Sequence, residues 1–154
     1  MTDQATIGPA DLVPVLQRAE LTSVYALELH ATRSSGEHPT KANWTMESGM
    51  APGDGVIDYK FDAKCVLTGD DESLVADLHV AVVAHYSLAE GPPISEAVLN
   101  AFGNVLTTPA VYPYLRQYLQ DMAARIGLPG FTLGLLKPDP EHQITVSLNS
   151  PTLA

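Results

Sequence analysis

Five histidines and one cysteine are the residues of this sequence that first suggest a metal site or a reactive nucleophile. Zinc sites on a helix use histidines four residues apart, and structural zinc sites combine cysteines and histidines at short intervals. Neither spacing occurs here, and two histidines on one side of a predicted strand lie too far apart along it to hold one ion. The sequence therefore predicts no metal and no cofactor, and favours exposed sheet positions for His30, His38, His79, His85 and His142.

Catalytic motifs are also absent from the sequence. It contains no glycine-rich phosphate loop, no nucleophile elbow and no cysteine–histidine signature around Cys65. The acid pair Asp70 and Asp71 lies in a predicted turn, where solvated carboxylates are common. The chain is therefore not expected to be an enzyme, and an enzyme with an unfamiliar kind of site stays open as an alternative.

Length and charge narrow the class of protein further. A chain of 154 residues with 45% hydrophobic residues is typical of one packed domain, here residues 1–154, with residues 1–8 and 139–154 expected to be flexible tails. The net charge of -10 opposes binding to nucleic acid or anionic lipid and suits a basic partner. The sequence shows no signal peptide and no long apolar run, and its single cysteine is typical of a reducing compartment. We therefore expect a cytoplasmic protein with no membrane insertion.

Alternation of apolar and polar residues predicts the strands. The clearest segments are 57–67 and 74–86, which join through a turn at 68–72 and are predicted to pair as an antiparallel hairpin. Asp77, His79 and His85 are predicted on the face of this hairpin that meets solvent or another subunit. An earlier strand is predicted to place four apolar residues on one side: Leu21, Tyr25, Leu27 and Leu29.

Residues 33–55 hold several glycines and prolines and show no sustained periodicity, which predicts a long loop. The loop contains the only tryptophan, Trp44, together with Met46 and Met50. Apolar side chains of this size are unusual in a solvated linker. The loop is therefore expected to fold back onto the body of the protein.

Apolar residues at helical spacing occur near the start of the chain and again after the predicted strands. Pro9 is predicted to begin a short helix or a turn, and Ser95 is predicted to cap a helix after the strands. A third and longest helix is predicted from Thr107 or Thr108 to about Gly127. Beyond it, residues 131–136 and 144–148 alternate again and are predicted to be extended strands or ordered arms.

The start and the end of the longest predicted helix carry a recognisable pattern. Residues 111–116 read Val-Tyr-Pro-Tyr-Leu-Arg, and residues 125–129 read Arg-Ile-Gly-Leu-Pro. In the SecB family of export chaperones an aromatic-Pro-Tyr-x-Arg element opens the long helix and a Gly-x-Pro element closes it. The order of elements over residues 12–138, which is a strand, a long loop with a tryptophan, two hairpin strands and paired helices, also resembles that family.

The resemblance implies an α+β fold with a four-stranded antiparallel sheet, two C-terminal helices packed on one face, and assembly as a dimer of dimers. Residues 139–154 lack the acidic tail of the general export members. In this respect the chain is more similar to the solitary or toxin–antitoxin-associated SecB-like chaperones. The implied activity is that of an ATP-independent holdase, which binds extended apolar segments of unfolded precursors for export or protects an antitoxin.

The resemblance also implies site residues. A client-binding groove would be lined by the loop, the sheet and the long helix: Trp44, Met46, Met50, Tyr59, Phe61, Tyr114, Tyr118 and Met122. The motor ATPase SecA of the family docks on the exposed sheet face, where the matching residues are Glu28, Val75 and Asp77. For Tyr59 and Phe61 an ordinary place in the core stays open. A carrier of a small apolar ligand such as a fatty acid is the alternative function.

Overall fold

The computed structural model describes residues 7–128. Segments 131–136 and 144–148, residues 1–6, the 139–154 tail and His142 lie outside this range. The described chain begins with a helix, continues through four strands and ends in a helical layer: α1 (Pro9–Arg18), β1 (Ala19–Arg33), β2 (Lys41–Pro52), β3 (Val56–Thr68), β4 (Leu74–Leu88), α2 (Glu96–Phe102), a π-helical segment (Gly103–Thr107) and α3 (Thr108–Arg125).

The four strands form one antiparallel sheet in the order β1-β4-β3-β2. The predicted hairpin is confirmed as β3–β4, and the α+β architecture with C-terminal helices on one face is confirmed as well. One face of the sheet packs against these helices, and we call the other the open face. The sheet leaves β1 and β2 as its two edges.

The prediction of a long loop over residues 33–55 was wrong for most of its length. Residues Lys41–Pro52 form β2, which pairs with β3 in an unbroken register from Lys41 opposite Thr68 to Pro52 opposite Ile57. The period-two pattern is present in this segment, but the breakers around Gly49 and Pro52 hide it. Proline is tolerated because β2 is an edge strand, where a missing N–H costs no ladder hydrogen bond.

The prediction that the apolar residues of β1 share one side was also wrong. The β1–β4 register shifts between Leu21 and Ser23 and again between Ala26 and Glu28. Each bulge adds one residue and reverses the alternation that follows it. Leu21 and Leu29 lie opposite core residues of β4, whereas Tyr25 lies opposite Val83 on the open face.

An aromatic cluster joins the sheet to α2. The ring of Tyr59 lies 5.8 Å from that of Tyr86 and 6.0 Å from that of Phe102, measured between centroids, and its hydroxyl donates a hydrogen bond to the Leu99 carbonyl at 2.8 Å. Burial raises the pKa of Tyr59 well above its ordinary value, and the neighbouring Tyr86 adds to that rise. A Cβ on Gly103 would come within 2.5 Å of the Tyr59 ring, so glycine is needed for this close approach.

Arg33 ties the end of β1 to the end of α3. Its guanidinium donates to the carbonyl oxygens of Ser35 at 2.7 Å, Ile126 at 2.8 Å and Glu37 at 3.2 Å. We expect Arg33→Lys to lower the free energy of unfolding by about 1–3 kcal/mol, because an ammonium cannot reach three carbonyls in this planar arrangement. Urea unfolding measures the change, with Arg125→Lys on the exposed side of α3 as the control. A loss in the control as large as that in Arg33→Lys would contradict the assigned role.

Cys65 is fully enclosed in β3, and burial raises the pKa of its thiol from 9.0 to about 11. We expect the folded chain to react with a thiol reagent at pH 8 at least ~100-fold more slowly than the urea-unfolded chain, because only the thiolate reacts. The raised pKa also means that the thiol's contribution to stability is lost as pH rises from about 9 through 11. Equal reaction rates in the two states would show that β3 opens locally.

Candidate functional site

The β2 edge carries a partly buried tryptophan that lies against a buried tyrosine of α3. Trp44 on β2 is only partly buried, and its ring lies 5.9 Å from that of Tyr112 on α3 at an interplanar angle of 47°. Burial raises the pKa of Tyr112, and the neighbouring Arg116 partly offsets that rise. We call these residues, Trp44, Tyr112 and Arg116, the β2 flank of α3. Together they offer an apolar surface with a cation beside it.

Five of the predicted groove residues lie inside the core of the single chain. Each is at most 7% exposed, because the helical layer covers the inner face of the sheet there: Met46, Met50, Tyr59, Phe61 and Met122. In one chain they therefore present little surface to a bound polypeptide. They belong to the core cluster, against which Trp44 packs.

The two remaining predicted groove residues lie on the other side of α3. At 100° per residue, Tyr114 and Tyr118 project more than 100° away from Tyr112 around the helix axis. Tyr114 is 45% exposed and Tyr118 is partly buried. Because α3 packs on β4 and β1, these tyrosines face the β1 side. Within one chain the structure does not bring them together with Trp44.

The β1 edge carries exposed apolar residues whose placement the sequence analysis missed. Leu21, Tyr25, Leu27 and Leu29 are each between 40% and 51% exposed. Tyr112 was missed as well, although helical spacing from Thr108 through Leu115 to Leu119 places it on the buried side of α3. The large exposed side chains in β1 were a usable signal, but the two bulges concealed which face each one takes.

The open face is acidic and holds the predicted docking residues. Glu28 lies 3.5 Å from Nδ1 of His79, whose Nε2 lies 3.1 Å from Asp62. His85 is hydrogen-bonded to Asp58 in the same way. Asp77 lies on this face opposite Thr32 of β1. Val75 is fully buried, so it cannot contact a partner directly.

A shallow cavity of about 290 Å³ opens on this face. Its lining includes His30, Lys64, Asp77 and His79, which make it polar and charged. Within residues 7–128 no group of three or more histidine, cysteine, aspartate or glutamate side chains is arranged to hold a metal ion. In the same range, no helix has the length and the apolar character required to cross a membrane.

Curated proteins and a solved structure are similar to this chain. No family model matches the sequence. Two curated proteins of Mycobacterium tuberculosis, SecB-like chaperone Rv1957 of strain H37Rv and SecB-like chaperone MT2006 of strain CDC 1551, are each 37% identical to the chain over 62 residues. That match covers 40% of this chain and 34% of each relative, so the chain spans about a third of the length of the curated relatives it matches.

A solved structure extends the match to the whole fold. The M. tuberculosis Rv1957 SecB-like chaperone, in complex with a ChAD peptide from the Rv1956 HigA1 antitoxin, superposes with a TM-score of 0.78 over 84% of this chain and 99% of that chain, at 18% identity. The chain has the SecB-like fold. The sequence match and the fold match are both to SecB-like chaperones, the family that the residue pattern of α3 resembles.

The SecB-like fold accounts for how the apolar surfaces are arranged. One sheet face is buried under α2 and α3, and the helical layer leaves both flanks of α3 partly uncovered. The chain therefore has two candidate apolar surfaces, one beside Trp44 and one beside Tyr114 and Tyr118.

Proposed function

We propose that this SecB-like chain is a chaperone that binds extended apolar segments of other polypeptides without ATP. The observation that carries the proposal is the fold match to a SecB-like chaperone that holds an antitoxin peptide. The partly uncovered ring of Trp44 supports it, because an aromatic group left partly open to solvent is a ready contact for apolar residues of a client.

Shape-tolerant residues suit a chaperone of this kind. Tryptophan and tyrosine present large rigid surfaces, and the buried methionines of the core can adjust to different shapes. Burial stabilises a complex by roughly 25 cal/mol for each Å² of apolar surface, so useful affinity needs a long contact. An extended client that follows the edge of the sheet would supply that length.

The client class that the comparisons favour is an antitoxin segment, since the matched structure contains one. Unfolded precursors on the way to export are the second client class, and both offer the same extended apolar chemistry. The net charge of -10 favours clients that are neutral or basic over acidic ones.

A homotetramer built as a dimer of dimers is part of the proposal. The exposed leucines of β1 lie on an unpaired sheet edge, which is a surface that a second copy can cover. SecA-type docking is proposed for Glu28 and Asp77 on the open face, with Val75 supporting them from below. The alternative of a fatty-acid carrier receives no support from the open-face cavity, because its lining is charged.

Suppression of aggregation tests the proposal. We expect the chain to keep a reduced, unfolded client soluble at a near-stoichiometric ratio of chains to client, and native mass spectrometry to show a multimer that gains the mass of the client. The control is the same client after it has folded. Saturable binding of a fatty acid together with indifference to the unfolded client would contradict the proposal.

A further inference from the structure

The β2 edge offers main-chain hydrogen-bonding groups as well as an apolar surface. Two backbone hydrogen bonds at the ends of the strands show which residues of β2 pair their N–H and C=O groups with β3. Gly53 N–H donates to the Val56 carbonyl at 2.9 Å, and Leu88 N–H donates to the Gly55 carbonyl at 2.9 Å. Antiparallel ladders alternate strictly between bonded and non-bonded residues. The odd-numbered residues of β2 therefore bond to β3, and the even-numbered ones direct their backbone groups outward.

Side-chain direction reinforces this arrangement. The even-numbered residues lie opposite core residues of β3, as Met46 does opposite Ala63 and Met50 does opposite Tyr59, so their side chains point toward the helical layer. The free backbone groups of β2 and its side chains that face the helical layer thus belong to the same residues: Ala42, Trp44, Met46, Ser48 and Met50. Pro52, the next even residue, has no N–H and ends the row.

The two edges of the sheet differ in regularity. The β2–β3 register runs from Lys41 to Pro52 without a bulge, so the free groups of β2 form an evenly spaced row. The β1–β4 register is broken twice, which displaces the free groups of β1 from any straight partner strand. Of the two edges, β2 is the better template for an added strand.

We propose that β2 binds a client by strand addition, in which an extended segment of an unfolded polypeptide pairs with the outward groups of β2. Alternate client side chains then lie beside Trp44, while the others lie beside Glu47 on the open face. Main-chain pairing is independent of sequence, and the alternate side chains select the segment. The partner class is an extended segment in which apolar residues alternate with polar or basic ones.

Methylation of the backbone nitrogen at every second residue of a client peptide tests strand addition, an inference that rests on the proposed function. The probe is a blocked eleven-residue peptide in which leucine alternates with threonine, apart from one central lysine in a threonine position. Fluorescence of the chain's only tryptophan, Trp44, reports its binding. One methylated version carries N-methyl groups on the leucines, and its matched control carries them on the threonines. We expect one version to lose affinity about tenfold or more and the other to keep it, because only one set of N–H groups faces β2.

The variant Ser48→Pro tests the same edge from the side of the protein. It removes an outward N–H without touching the ladder to β3, and Ser48→Ala is the control that keeps the N–H. We expect the proline variant to bind the unmethylated peptide about tenfold more weakly and the alanine variant to bind it as the parent does. Thermal melting checks that both variants fold, and the peptide pair tests the inference even where the proline variant does not.

The possible results separate this inference from the proposed function. Equal affinity of the two methylated peptides would overturn strand addition and leave client binding intact. Failure of the unmethylated peptide to bind would overturn both. Slow amide exchange at Trp44, Met46 and Ser48 in the free protein would show that a second copy, or residues 129–154 of the chain, already covers the edge, and would also overturn the inference.

Discussion

Trp44→Ala is expected to weaken capture of an unfolded client by roughly 30-fold, which corresponds to about 2 kcal/mol, the size typical of an aromatic hot spot. The reason is geometric. Trp44 lies against Tyr112 and the edge of the core but is not enclosed by them, so its ring is the large apolar surface on the β2 flank that a client can cover. Titration of the chain against a fluorescently labelled, permanently unfolded client measures the effect.

The matched control for this variant is Tyr114→Ala, which removes an exposed aromatic ring from the opposite flank of α3. Tyr114→Ala is expected to change capture less than about threefold if the client lies along β2. Thermal melting of both variants separates a binding effect from loss of the fold. Full capture by Trp44→Ala would remove the β2 flank from the site, and equal losses in both variants would require a client that contacts both flanks.

Tyr59→Ala is expected to lower the free energy of unfolding by about 3–5 kcal/mol, the range observed when a large buried aromatic ring is truncated. Tyr59 is 2% exposed, lies between Tyr86 and Phe102 and supports Gly103 at the start of the π-helical segment. Its removal leaves a cavity where the sheet meets the helical layer. Equilibrium unfolding in urea measures the loss.

Tyr59→Phe separates the ring from the hydroxyl. It is expected to cost only about 1 kcal/mol, because the Leu99 carbonyl that accepts the Tyr59 hydrogen bond also accepts one from Gly103 N–H. Burial disfavours the tyrosinate and raises the Tyr59 pKa, so the contribution of the neutral hydroxyl is present below about pH 10 and is lost as pH rises further. The stability of the Tyr59→Phe variant should therefore fall less steeply above pH 10. A loss in Tyr59→Phe as large as that in Tyr59→Ala would contradict a packing role for the ring.

The predicted groove shows how far residue type alone can locate a site. Residue type and family resemblance together selected Trp44, and the structure leaves its ring partly uncovered at the sheet edge. The same reasoning selected Tyr59 and Phe61, which are fully enclosed, because a buried aromatic residue and a client-binding one have the same composition and the same period. It also placed Tyr118 in the same groove as Trp44, although the two lie on opposite flanks of α3. Which aromatic residues stay accessible depends on where the helices lie over the sheet, which is a tertiary property.

Periodicity in the sequence was enough to predict the β3–β4 hairpin and the helices that follow it, whereas the α+β class came from the family resemblance. The physical reason is that strict alternation over residues 57–67 and 74–86 and helical spacing over 108–125 each permit only one regular way to bury the apolar side chains. Only the tertiary structure decided that Lys41–Pro52 is a strand and that β1 changes faces twice. An edge strand is stabilised by its neighbour more than by its own residues, and a bulge is fixed by the ladder it interrupts, so neither can be recognised until the partner strand is in place.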